Sequence, residues 1–137
     1  MIINNKYCIL DCETGGFSAD KHALTEIGFV IINKDLEEVE RHSFLIKPYD
    51  PKLEYSPQAL KVTGLSMDIL NSKGLDARAV AESVQEIFSR NSKGVKEKLV
   101  LVGHNFQFDY WFMDAFFKRF DLQIGKYTDE TFLCTMW

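Results

Sequence analysis

"YCILDCETGGF", Tyr7 to Phe17, decides how this chain of 137 residues is read. The apolar run Tyr7-Cys8-Ile9-Leu10 begins like a buried strand, then delivers two carboxylates, Asp11 and Glu13, followed by a threonine and two glycines. Ionised carboxylates are rarely buried unpaired, and two of them two residues apart repel. Side chains on a strand alternate between faces, so a strand running through residue 13 points Asp11 and Glu13 to one side and Cys12 to the other. The competing reading is a turn, since Asp, Thr and Gly-Gly are ordinary turn residues.

A second stretch poses the same problem. "GHNFQFDYWFMDAFF", 103–117, leaves the apolar strand "LVLVG" (99–103) and enters a helix expected from about Asn105 to Phe120. Helical steps from Asp109 reach Met113, Phe116 and Phe120, which puts this carboxylate on the apolar stripe rather than the wet face. The simpler alternative is a solvated aspartate favoured by the helix dipole. If the strands at 6–11 and 99–103 lie side by side, Asp11, Glu13 and Asp109 meet at the sheet's edge. Carboxylates crowded at low dielectric stay ionised only when a cation neutralises them. No Cys/His cluster with zinc spacing is present, so hard dications with oxygen ligands, Mg²⁺ or Mn²⁺, suit the site. Paired ions about 4 Å apart are a recurring route to phosphodiester cleavage.

Composition bounds the rest. An apolar fraction of 46% with 11 Phe, 5 Tyr and 2 Trp marks a folded chain of one domain, 1–137. A net charge of −4 argues against nucleic-acid binding by a broad basic surface, though not against an enzyme that reaches phosphates through metal ions. Three cysteines, Cys8, Cys12 and Cys134, imply no disulfide framework, so a reducing, cytoplasmic setting is expected. "MIINNKY" lacks the basic-then-apolar pattern of a signal peptide, and no apolar run approaches the ~20 residues of a bilayer span.

Strands are expected at 6–11, 24–33 and 36–47, as a β-meander with a turn at Asn33-Lys34-Asp35. A loop, 48–57, leads to a short helix capped by Ser56 and running from Pro57 to about Val62, and Ser66 caps another short turn. Asp76 caps the clearest helix, whose stripe is Ala77, Val80, Ala81, Val84, Ile87 and Phe88, and Asn91 to Gly94 stops it. After the strand at 99–103 and its helix come a turn at Gly125, a weak strand, and "DETFLCTMW" (129–137), read as the start of a last helix. The order predicts an α/β fold, a mixed sheet with helices packed on its faces.

"DCETGGF" (11–17), "ALTEIGFV" (23–30), "ALKVTGL" (59–65) and "GHNFQFDYWFM" (103–113), in that order and spacing, resemble the DEDD (DnaQ-like) exonucleases of the ribonuclease T and DNA polymerase III epsilon-subunit group. The resemblance runs from Tyr7 to about Leu133. It implies a ribonuclease H-like mixed sheet, an antiparallel meander plus parallel strands, flanked by helices, and 3′ to 5′ hydrolysis of single-stranded DNA or RNA with two metal ions. By this resemblance Asp11 and Glu13 hold the first ion, Asp11 bridges to the second, and Asp109 supports the second. Cys12, Thr14, Gly15, Phe17, His104, Asn105 and Phe108 would lie at the substrate, with Phe17 and Phe108 stacking on or wedging beside bases. Other roles stay open: Phe17 as a loop-to-core anchor, Phe108 packed under its helix, His104 bonded to backbone at a strand end. Val62 stands where relatives often carry an aromatic.

The family's third motif, His or Tyr followed by Asp, has no counterpart after Asp109, where only Asp114, Asp121, Asp129 and Glu130 are acidic and no histidine follows His104. The expectation is therefore a domain lacking its C-terminal part and weak or inactive alone, since its attacking water would be poorly oriented. Partners expected are a single-stranded 3′ end and either a DNA polymerase or a second copy of the chain. A non-catalytic module binding nucleic-acid ends or a polymerase is the alternative.

Overall fold

In the structure, a computed structural model that describes residues 6–93 and 96–135, the alternation of the opening stretch sorts onto two faces. Strand β1 (Tyr7–Thr14) buries Cys8, Leu10 and Cys12 and exposes Ile9 and Asp11. It continues past Glu13, so the turn reading fails and both carboxylates share a face. β2 (Leu24–Ile32) pairs antiparallel with β1 and β3 (Glu38–Leu45) antiparallel with β2. The apolar β4 (Val100–Gly103) lies parallel to β1, Ile9 opposite Val102, which is the adjacency the two carboxylate stretches required. The sheet order is β3-β2-β1-β4-β5.

The helices start where short polar side chains cap them. Ser56 accepts from the Ala59 N–H at α1 (Pro57–Thr63), Ser66 from Ile69 at α2 (Met67–Lys73), and Asp76 from Ala79 at α3 (Ala77–Arg90). α3 and α4 (Phe106–Arg119) press their stripes on the Cys8–Leu10 face, where Phe88 meets Phe29 at 5.4 Å and Phe117 at 6.4 Å between ring centroids. The end of α3 is tied to β3: Arg90, Asn91 and His42 converge on Glu40, and these bonds, Arg90's first, hold its carboxyl down at about 2.

One expectation changes. The helix expected from Asp129 does not form over the described residues; Leu133–Cys134 instead make β5, parallel to β4. The open edge of β4 needs hydrogen-bond partners. Asp129 N–H donates to the Leu99 carbonyl at 2.7 Å and Thr135 N–H to the Gly103 carbonyl at 2.9 Å, so long-range pairing overrides the local pattern. Met136 and Trp137 lie outside the described residues. The expected mixed sheet flanked by helices is present, and α3 and α4 lie on the same face of it. The face carrying Ile9, Asp11, Glu26 and Val30 has no helix over it among the described residues. No described helix is long and apolar enough to cross a membrane.

Candidate active site

The C-terminal end of β1 carries the site because the chain turns there against α1 and α4. Asp109, in the first turn of α4, is only 5% exposed, and its Oδ2 has no hydrogen-bond partner. Burial foremost, then the charge of Asp11, push its pKa up to about 7; the Cys12 backbone N–H pulls the other way, and Glu13 adds to the rise. Glu13 is raised by its own partial burial, by Asp11 and by Glu26. The buried Cys12 thiol is pushed well up by burial and then by Asp109. The three carboxylates therefore stand within each other's fields, and none has an ion pair among the described residues.

They converge without closing into a cage: among the described residues no three His, Cys, Asp or Glu side chains form a ready-made metal-binding group. The set nevertheless fits a divalent cation, because a buried carboxylate oxygen without a partner is costly and an all-oxygen donor set suits a hard ion.

Two depressions meet at Glu13. One, about 740 Å³, lies over the open sheet face and is lined by Asp11, Glu13, Glu26, Arg41, His104 and Thr135 among others. The second, about 290 Å³, lies against α1 and is lined by Cys12, Glu13, Thr14, Phe17, Val62 and Phe108 with their neighbours. Phe17 is 90% exposed, so it anchors nothing in the core; Val62 is 82% exposed on the facing wall. Phe108 packs on Phe112 at 4.9 Å and also lines the second depression.

The Phe17 loop is built to hold that ring out. Thr14 Oγ1 donates to the Gly16 carbonyl at 2.7 Å, and Ser18 N–H to His22 Nδ1 at 3.2 Å. A Cβ on Gly16 would meet the His22 ring at 2.3 Å, so only glycine fits this approach. Gly15 is buried behind the wall, bonded through backbone to Ala23 and Ser56, and it is Gly16 that lines the cavity. At the other end, His104 and Asn105 are exposed where β4 turns into α4. His104 Nδ1 faces the Thr135 hydroxyl at 3.4 Å, and Asn105 takes the left-handed conformation, φ 50°, that asparagine tolerates better than most residues. Sequence reasoning reached the α1 wall at Val62 but named neither Glu26 nor Gln58 as a site residue. Period-two alternation in "LTEIGFVII" was the available signal for Glu26.

The five-stranded mixed sheet with its helices is a ribonuclease H-like fold. The ribonuclease T family model, described as an exonuclease, matches residues 8–136, and the chain belongs to that family. It is 38% identical over 124 residues to ribonuclease T of Marinobacter nauticus, covering 84% of this chain and 54% of that protein. It is 31% identical over 116 residues to a PolC-type DNA polymerase III of Thermotoga petrophila, covering 85% of this chain and 8% of the polymerase. Among solved structures, the zinc-bound form of the E. coli exonuclease I complex with single-stranded DNA superposes with a TM-score of 0.78 at 20% identity, over 98% of this chain and 28% of that one. The chain thus spans about half the length of the ribonuclease T relative it matches.

Proposed function

We propose that the chain is a metal-dependent 3′–5′ exonuclease domain acting on single-stranded DNA or RNA. The observation that carries this is the buried, unpartnered Oδ2 of Asp109 beside Asp11 and Glu13, within a family of exonucleases. Asp11, Glu13 and Asp109 would hold Mg²⁺ or Mn²⁺. Bound there, the ions supply a water nucleophile and neutralise charge building on the phosphoryl oxygens. The chain's own part is placement. Thr14, Phe17, Val62 and Phe108 form a wall against which a terminal nucleotide seats, and Glu13, on the rim of both depressions, joins that seat to the carboxylates. A seat built on stacking tolerates any base, which is how a chain of net charge −4 binds nucleic acid without a broad basic surface.

The test uses a single-stranded oligonucleotide labelled at either end, with Mn²⁺. Stepwise shortening from the 3′ end supports the proposal; internal cuts or shortening from the 5′ end overturn it. A form carrying a further His or Tyr with an Asp beyond it, the pair the resemblance implies for a general base, would cleave about 10²–10⁴-fold faster, and equal rates would show that no such base is needed there. Linkage to a DNA polymerase, as in the PolC-type relative, and pairing of two copies belong to the same proposal.

Phe17→Ala separates binding from folding. A stacking contact is worth ~1–3 kcal/mol, so single-strand affinity is expected to fall between ~5-fold and ~150-fold. The melting temperature is unchanged, because the ring is 90% exposed. Fluorescence anisotropy and a thermal melt read the two quantities, and a drop in melting temperature without loss of affinity would contradict the assignment.

A further inference from the structure

Resting on the nucleotide seat proposed above, we infer that Trp111 forms a second stacking site, for the base of the nucleotide that precedes the terminal one. Tryptophan side chains are highly buried on average. Trp111 is 58% exposed, although the next residues on α4, Phe112 and Met113, are buried. Helical spacing lines it up with Ala115 and Lys118 on one ridge of the helix. Between that ridge and the Phe17 loop lies a third depression, of about 550 Å³; the loop contributes Phe17, Ser18 and Ala19, and the helix Trp111, Ala115 and Lys118.

Phe17 also lines the depression against α1, so one exposed ring borders both spaces. A strand whose terminal base rests against Phe17 in the first therefore has its next base at the second. Isolated exposed apolar residues are ordinary, but two large rings on one groove, one of them shared with the nucleotide seat, form a continuous surface. The charges of the groove select a base over the phosphates. Its ionisable residues are Asp20, Asp114 and Lys118, and Lys118 is already paired with Asp114 at 2.9 Å. The Asp20 carboxylate is left uncompensated there, which repels phosphate and makes a flat, uncharged ring the fitting occupant. The loop is also fixed beforehand: the Lys21 and His22 N–H groups donate to the Ser18 carbonyl at 3.2 and 2.8 Å, and Ser18 N–H donates back to His22 Nδ1. Phe17 is thus presented with little left to order on binding.

The experiment uses phosphorothioate oligothymidylates, which resist cleavage, with Mn²⁺ present. In Trp137→Phe, Trp111 is the sole tryptophan. A trinucleotide is expected to quench its emission, because a stacked base deactivates the excited indole, whereas thymidine monophosphate, which fills only the seat, leaves it unchanged. By anisotropy with a 5′-labelled strand, Trp111→Ala is expected to bind between ~5-fold and ~150-fold more weakly, and Trp111→Phe recovers part of that loss. A stacking contact releases no counterions, so the salt dependence of affinity keeps the parent's slope; a flatter slope would make this a phosphate contact and overturn the inference. Parental affinity in Trp111→Ala, with Phe17→Ala weakened, overturns the second site and leaves the nuclease reading standing. Strand binding that leaves Trp111 emission unmoved does the same and gives the groove to a protein partner. Affinity unchanged in both Phe17→Ala and Trp111→Ala removes the seat, and this inference with it.

Discussion

Raising the pH of the metal-free protein from 5 to 8 is expected to lower its stability, and Asp109→Asn removes most of that loss. Asp109 is pushed from an ordinary 3.8 to about 7, chiefly by burial, so between these values the folded chain binds a proton that the unfolded chain has released. Stability therefore falls as pH rises through this window and levels off above about 7. At 1.36 kcal/mol per unit, the whole shift corresponds to on the order of 4 kcal/mol. Glu13, raised in the same direction, adds a smaller slope, whereas Glu40, held at about 2, loses its stabilisation only as pH drops below its ordinary 4.5. The interval from pH 5 to 8 thus isolates the raised carboxylates. Asparagine keeps the shape and cannot ionise, so the variant melts above the parent at pH 8 and its pH profile is flatter. Mn²⁺ should reverse the order: it stabilises the parent by ~2.7 kcal/mol at a hundred times its dissociation constant and leaves Asp109→Asn unmoved. A variant less stable than the parent at pH 8 without metal, with an undiminished slope, would show that Asp109 carries no buried charge.

Asp11→Asn is expected to cost about 10³-fold in cleavage with almost no effect on folding. The side chain is exposed and makes no hydrogen bond or ion pair among the described residues, so its loss removes no contact of the core. Metal charge stabilisation of a transition state amounts to several kcal/mol, and each 1.36 kcal/mol is tenfold in rate. Single-turnover cleavage with Mn²⁺ beside a thermal melt separates these quantities. Unaltered cleavage would move the chemistry elsewhere, and a collapsed melt would make Asp11 structural.

Much of this was legible in one dimension. The period-two run ending in Asp11 and Glu13, the helical stripe that includes Asp109, and the caps at Ser56, Ser66 and Asp76 all appear where local pattern placed them. They depend on spacing along the chain and on backbone groups a few residues away. The tail did not: "DETFLCTMW" reads as a helix, but its backbone pairs with the free edge of β4.

The sequence by itself determined that Asp11 and Glu13 share one face of their strand and that Asp109 lies on the apolar stripe of its helix, because alternation on a strand and periodicity on a helix are set by covalent geometry; the pairing of β1 with β4 set these segments side by side. Tertiary structure alone decided what those carboxylates feel and what surrounds them: the rise at Asp109, Glu26 across from Glu13, Phe17 out in solvent, both large helices on one face. These follow from register and burial, which segments distant in the chain impose on one another, and no local pattern encodes them.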